Sequence, residues 1–292
     1  MIKIYHVPDY LGGTREAEFI RQGLVSNPRV ELVNSKEESD FIFQFYYRAK
    51  CKQYYPQDLP PEKTVVIDYS DKVHWLSHVK CFAYFKRSWV VKVQHGSYTT
   101  KHPILRDAHL HPLSLAIMDE FIIKEDMERD IVLSCPLRIK KNHNNRTRVL
   151  EFLRKMDLQG NIQMGSFNAG RSKRVASPEM EDYFRMLKRS RIVVTCNPTK
   201  WEGDHRLWEA FANGALVFVD RMWTPLKHPL VDGVHCIFYD LSDEGLKILD
   251  REIVGFLRDT NRAREIAKAG HEFTMKYHRA SNRIDEILDI IT

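Results

Sequence analysis

Within six residues, Asp204-His205-Arg206-Leu207-Trp208-Glu209, the chain places two carboxylates and an arginine at spacings that suit a phosphorylated ligand. A helix beginning at Asp204 would have its first free amides capped by that side chain. Arg206 and Glu209, three positions apart, would share one face near the helix start. Open amides and the helix dipole attract phosphate there, and arginine adds charge-assisted bonds to it. A carboxylate beside them accepts hydrogen bonds from ribose hydroxyls. The preceding turn, Lys200-Trp201-Glu202-Gly203, adds a cation and a glycine. The candidate nucleotide-diphosphate site is therefore Arg206, Glu209, Gly203, Asp204, His205 and Lys200, with Trp201 and Trp208 as core or cleft wall.

The elements that must position these groups read as a strand, a polar loop, a helix and a second strand. Residues 191–195 and 215–219 are mostly apolar runs, as in a parallel sheet covered on both faces. Gly214 suits the residue just past the helix. The same alternation occurs twice along the chain. Strands are expected near residues 2–6, 30–33, 41–46, 64–68 and 82–85, with a helix over 14–24; residues 86–112 are loop-rich. A second series follows a charged crossing at 125–130: strands at 131–135, 161–164, 191–195, 215–219 and 235–239, and helices near 146–156, 179–189, 243–257, 261–277 and 281–292. Two Rossmann-like, doubly wound α/β domains facing a cleft are expected, because ligands of such sheets bind beyond the strand C-termini. The division is 1–125, 126–275, and a C-terminal helix at 276–292 packing back on the first domain.

Composition narrows the class. The 292 residues are 43% hydrophobic, enough for two sizeable cores, and 45 basic against 39 acidic residues give a formal charge of only +6. Basic stretches at 138–148 and 171–174 fit RNA, a phosphate-bearing small ligand or a solvated face equally well. Five cysteines, odd in number and without a Cys-x-x-Cys, suggest free thiols in a reducing compartment, with Cys135, Cys196 and Cys236 in apolar runs. Met1-Ile2-Lys3-Ile4 enters a strand at once, with no signal peptide, and no apolar run reaches the roughly 18 residues of a spanning helix. A cytoplasmic protein is expected. His109-Leu110-His111, with His102 and Asp107 near it, is the only tight histidine pair, and no cysteine lies close enough in sequence to complete a zinc set. No Asp-x-Asp occurs, and no metal or other cofactor is expected.

The run Arg206-Leu207-Trp208-Glu209-Ala210-Phe211-Ala212-Asn213-Gly214, continued by His228-Pro229-Leu230-Val231-Asp232-Gly233-Val234-His235-Cys236, resembles the nucleotide-sugar signature of GT-B fold glycosyltransferases, particularly the exostosin-like and group 1 types. The likeness is specific over residues 192–239 and weaker in the N-terminal half. It implies a metal-independent hexosyl- or pentosyltransferase that moves a sugar from a UDP-sugar (UDP-xylose being one choice among several) to a glycan hydroxyl. By this likeness Arg206 neutralises the donor diphosphate and Glu209 holds ribose hydroxyls. Arg138, with Lys140 and Lys141, sits where such enzymes place phosphate contacts. Gly165 opens a loop, running on to Arg171, Lys173 and Arg174, that could cover the base. Lys86-Arg87 also resembles an N-domain pattern. Enzymes of this kind in the Golgi carry an anchor, so the likeness points to a bacterial, viral or truncated protein.

One departure bears on mechanism. Retaining members carry two glutamates eight positions apart, whereas Glu202 and Glu209 are seven apart. Either Asp204 or Glu202 replaces the first glutamate or the enzyme lacks it; the second option favours an inverting transfer, with a retaining group 1 enzyme as the alternative. Inversion needs a general base on the acceptor hydroxyl. Asp71 is the first candidate, then Asp9 beside Gly12-Gly13, then Asp68; each could equally be a turn or cap carboxylate. His6 and His95 are weaker options. The competing classes are a basic nucleic-acid-binding protein, using Tyr46, Tyr47, Tyr54 and Tyr55, and a nucleotide-sugar epimerase or sugar-phosphate enzyme.

Overall fold

The computed structural model describes residues 1–7, 15–46, 59–70, 79–88, 93–94, 97–98, 109–139, 144–165, 178–198, 203–222 and 224–292. The N-terminal half contains β1 (Ile2–His6), α1 (Arg15–Ser26), β2 (Val30–Leu32), β3 (Phe41–Tyr46), β4 (Thr64–Asp68), β5 (Ala83–Lys86), a two-residue pair β6 (Val93–Gln94) and β7 (Ser97–Tyr98), and β8 (Leu110–Pro112). The C-terminal half contains β9 (Ile131–Cys135), α2 (Asn144–Leu153), β10 (Asn161–Met164), α3 (Pro178–Arg189), β11 (Ser190–Thr195), α4 (His205–Ala212), β12 (Leu216–Asp220), β13 (Ile237–Tyr239), α5 (Asp243–Arg258), α6 (Thr260–Tyr277) and α7 (Ala280–Ile291). The stretch read as loop-rich thus holds three short strands.

Two parallel sheets result, ordered β2-β1-β3-β4-β5-β8 and β10-β9-β11-β12-β13. Apart from the added β8, both have the doubly wound order in which the chain reverses direction beside its first strand. Every residue of β4 and of β12 is buried, which is why both read as continuous apolar runs. The fold is the expected one: α/β, with two Rossmann-like sheets.

A single apolar cluster runs from Ile4, Phe43 and Ile67 of the first sheet, through Leu115 and Phe121, to Val193, Trp208 and Val217 of the second half. It also takes in Ile284, Ile287 and Leu288 of α7, which packs on α1 rather than on the second sheet. Asn27 at the end of α1 donates to Ser281 O (3.1 Å) and Asp285 (2.9 Å). Ile117 and the residues flanking Arg279 form a parallel bridge, with Ile117 N on His278 O and Ala280 N on Ile117 O, both 2.9 Å. A second cluster, including Leu133, Leu150, Val194, Phe218 and Leu249, fills the far face of the second sheet beneath α2 and α5. Cys135, Cys196 and Cys236 are buried free thiols inside these layers, and burial pushes the Cys135 thiol up to about 12. Among the described residues no helix is long and apolar enough to cross a membrane.

Candidate active site

In the second sheet the chain reverses between β9 and β11, so the crevice a ligand would use opens past Cys135 and Thr195. Two arginines sit at that crevice. Arg206 donates from Nε to Pro136 O (2.8 Å), one residue beyond β9, and Arg146 of α2 donates from Nε to Cys196 O (3.0 Å), one residue beyond β11. Asp204 lies between them. It caps α4 by accepting from Arg206 N at 3.4 Å, as its position before the helix suggested, and pairs with Arg206 Nη1 at 3.0 Å and with Arg146 Nη2. Burial alone would raise the Asp204 pKa, but the Arg146 and Arg206 charges outweigh it and hold the carboxyl well below the usual range. Among the described residues, two guanidiniums share this one carboxylate. The Arg206 side chain keeps 12% of its surface exposed and the Arg146 side chain 4%.

Glu209 stands one turn further along α4, buried, accepting from Tyr183 Oη of α3 at 2.8 Å. Tyr183, which bonds Glu209, also acts electrostatically on Arg206. His205 is buried in the same turn. Gly203 adopts φ +87, a backbone conformation that favours glycine, with the Met222 side chain packed against it. Gly214, at φ +71, takes the left-handed position that ends α4, as expected.

The loop between β11 and α4 is pinned from below. Asn197 N donates to Asp220 Oδ1 (2.7 Å), and Asn197 Nδ2 donates to Asp220 O (2.7 Å). Burial raises the Asp220 carboxyl to about 7, against the lowering pull of the Asn197 amide and of Arg146. Tyr239 Oη donates to Thr195 O at 2.7 Å on the same strand edge. Gly165 closes β10, its N–H on Cys135 O at 3.2 Å, and a side chain there would meet nothing within 4 Å. Arg138 is half-buried three residues past β9. Lys200, Asp9 and Asp71, together with His95, His102, Lys140, Lys141, Arg171, Lys173 and Arg174, lie outside the described residues.

Asp68 is committed elsewhere. Its carboxylate is fully buried at the end of β4, paired with Lys86 Nζ at 3.0 Å and accepting from Tyr84 Oη (2.6 Å) and Ser70 N (2.8 Å). Lys86 also donates to Ser70 O and Oγ. These bonds leave Asp68 no exposed oxygen to offer an acceptor, and they explain Lys86 as the partner of that carboxylate, while Arg87 N donates to the Asp68 carbonyl at 3.0 Å. The two strand edges touch where Thr224 Oγ1, past β12, donates to Arg87 O, past β5, at 2.8 Å. His109 Nδ1 lies 3.0 Å from Phe82 O and the His111 ring stacks on Phe85; no cluster of three His, Cys, Asp or Glu able to hold a metal occurs among the described residues.

Arg146, Tyr183, Asn197 and Asp220 were not singled out from sequence. Arg146 stood unremarked in the basic stretch 138–148, and Asp220, a charged residue closing an apolar run, was the one visible signal.

The family model for "Glycosyl transferase-like" proteins matches residues 146–289, from the arginine that holds Asp204 to the last turns of α7. No curated protein matches the sequence. Among solved structures, an alpha-glucosyltransferase in complex with UDP-glucose and DNA containing an abasic site is similar with a TM-score of 0.59 at 11% identity, over 99% of this chain and 98% of that one. Alr3699/HepE of Anabaena, in complex with UDP-glucose, is similar with a TM-score of 0.56 at 11% identity, over 99% and 100%. TarM matches with a TM-score of 0.50 at 10% identity over 84% of this chain, which spans 58% of TarM's length. The whole chain therefore has the GT-B fold, and residues 146–289 are similar to the glycosyl transferase-like family.

Proposed function

We propose that the protein transfers a sugar from a UDP-sugar to the hydroxyl of a glycan, without a metal. One observation carries this reading: the glycosyl transferase-like segment begins at Arg146, and Arg146 and Arg206 bring two guanidiniums to one carboxylate at the switch point of the second sheet. Their charge offsets a leaving diphosphate in the place where a metal would otherwise do so. Glu209, one helical turn on, would take the ribose hydroxyls after exchanging its bond with Tyr183. Gly203 and Gly165 would let a ligand approach the backbone, with His205, Lys200 and Arg138 completing the donor set. In the reaction the acceptor oxygen attacks the anomeric carbon, and the carbon–oxygen bond to the diphosphate breaks with its electron pair leaving on UDP. The acceptor proton passes to a carboxylate, for which Asp71 and Asp9 remain the candidates.

The seven-residue gap between Glu202 and Glu209 supports inversion of the exostosin-like kind. The alpha-glucosyltransferase neighbour supports the other outcome, since an α product from an α-linked donor is retention. NMR of the first-formed product anomer separates the two. The sugar, hexose or pentose, follows from the same assay. The DNA in that neighbour's complex makes nucleic acid the competing acceptor; labelled donor offered with oligosaccharide and with duplex DNA decides between them. The donor reading is tested by a thermal-shift panel of nucleoside diphosphates and nucleotide sugars. Stabilisation by UDP and a UDP-sugar is expected, and no response to any member would refute it.

A further inference from the structure

The second sheet has a second opening, at the opposite end of its strands from the donor crevice. Here Arg191 and Ile192 begin β11, Gly214 precedes β12, and helices α5 and α6 close the far side around a cavity of about 610 Å³. The length of β11, roughly 16 Å, separates it from Asn197. Its volume is that of a small-molecule site.

The charge of its lining is one-sided. Arg129, Lys188, Arg191, Arg264 and Lys268 face a single lining carboxylate, Glu128. Three of these cations have structural work. Arg129 donates to Ser190 O and, at 2.7 Å, to Asn213 O; Arg191 donates to Arg129 O at 2.8 Å; and Lys268 stands 3.9 Å from Glu272. Lys188 and Arg264 have no ion-pair partner among the described residues. Asp126 is the carboxylate acting on Lys188 from outside the lining, and burial followed by the Arg129 charge still pulls the Lys188 ammonium below its ordinary pKa. An anion placed there would relieve that repulsion. Between the cations lies an apolar floor of Phe256, Leu257 and Ala267, which gives nothing to a bare ion but suits an organic group attached to one.

We infer that this cavity is a second anion site, taking a phosphate group carried on an apolar or partly apolar body, with Lys188 and Arg264 as its free cations. The site is independent of the donor crevice. It meets the end of α4 at Asn213 and Gly214, through Arg129, which holds the carbonyl of Asn213, and through His271, whose Nδ1 lies 2.9 Å from Phe211 O.

Calorimetric titration with phenyl phosphate, in excess UDP so that the donor crevice is not read, tests this. Saturable binding is expected, tighter than for inorganic phosphate and at least tenfold weaker in Lys188→Ala/Arg264→Ala, with UDP affinity unchanged. Arg264→Glu, on the exposed side of α6, repeats the test should the double variant fail to fold. Absence of saturable binding, or equal affinity in parent and variants, overturns the proposal. Sedimentation with phosphatidic acid vesicles assigns the source. Vesicle binding lost in the variants and competed by phenyl phosphate identifies a lipid headgroup, and phenyl phosphate binding without vesicle binding identifies a soluble organic phosphate.

Discussion

The two parallel sheets end in ionic groups of opposite character. At the edge of the first, Asp68 and Lys86 form a wholly buried ion pair enclosed by Tyr84 and Ser70. At the edge of the second, Asp204 is shared by two arginines, one of which keeps surface in solvent. A sealed pair has nothing left to bind with and serves only to hold strand ends together. A partly open cluster on a helix N-terminus holds its geometry and still presents charge to a partner. Similar ionic groups are thus sealed at one edge and left partly open to solvent at the other, and burial is the difference.

Removing one member of the sealed pair should have the largest effect. Lys86→Met strands the Asp68 carboxylate in the core and is expected to cost about 3–5 kcal/mol in chemical denaturation, with Lys86→Met/Asp68→Leu recovering most of the loss. An equal loss in the double variant would show that the pair does not act as a sealed unit. Arg206→Ala should act the other way round. UDP affinity should drop by about 1.5–3 kcal/mol, the worth of a charged hydrogen bond, while stability changes little because Arg146 still holds Asp204. Retained UDP binding would break the contrast at its centre.

Asp220 supplies a pH-dependent test. Its folded-state pKa of about 7 is above the unfolded value, so the neutral carboxyl favours the fold. That contribution is complete at low pH, is lost as pH rises from the ordinary aspartate range to about 7, and does not return above it. Asp220→Asn should therefore gain stability relative to the parent between pH 5 and pH 8, by on the order of 3 kcal/mol, about two pKa units' worth. A pH-independent difference would count against the buried neutral carboxyl. The smallest effect belongs to the contact joining the edges. Thr224→Ala should cost about 1 kcal/mol, the value of one hydrogen bond, and a loss of several kcal/mol would show the two edges to be a single structural unit.

Much of the fold was legible because its signals are local. The apolar runs of β4, β9, β11 and β12, the Asp204 cap and the Gly214 stop all depend on neighbours within a few residues. The three C-terminal helices agreed with their expected spans to within two residues at most ends, since each has an amphipathic face and polar boundaries. The three short strands within 86–112 were missed because two or three residues show no period. The site was half legible for a related reason. Arg206 and Glu209 share a helix turn, but Arg146 reaches Asp204 across 58 positions and Tyr183 reaches Glu209 across 26, and no spacing rule encodes such meetings. Asp68 misled because a carboxylate at a strand end looks alike whether its partner is a substrate or a lysine 18 positions further on.

The return of α7 to α1 has a consequence for how the protein is made. The core of the first half includes Ile284, Ile287 and Leu288, so that half lacks part of its own interior until those residues have been synthesised. At roughly 5–20 residues per second, the wait from the end of the first sheet is on the order of ten seconds or more. Throughout that interval the apolar face of α1 is without α7, whereas the second sheet gains all its strands by Tyr239, before α7 is made. The half that starts first is the half that finishes last, and nascent-chain chaperones should find their target in α1.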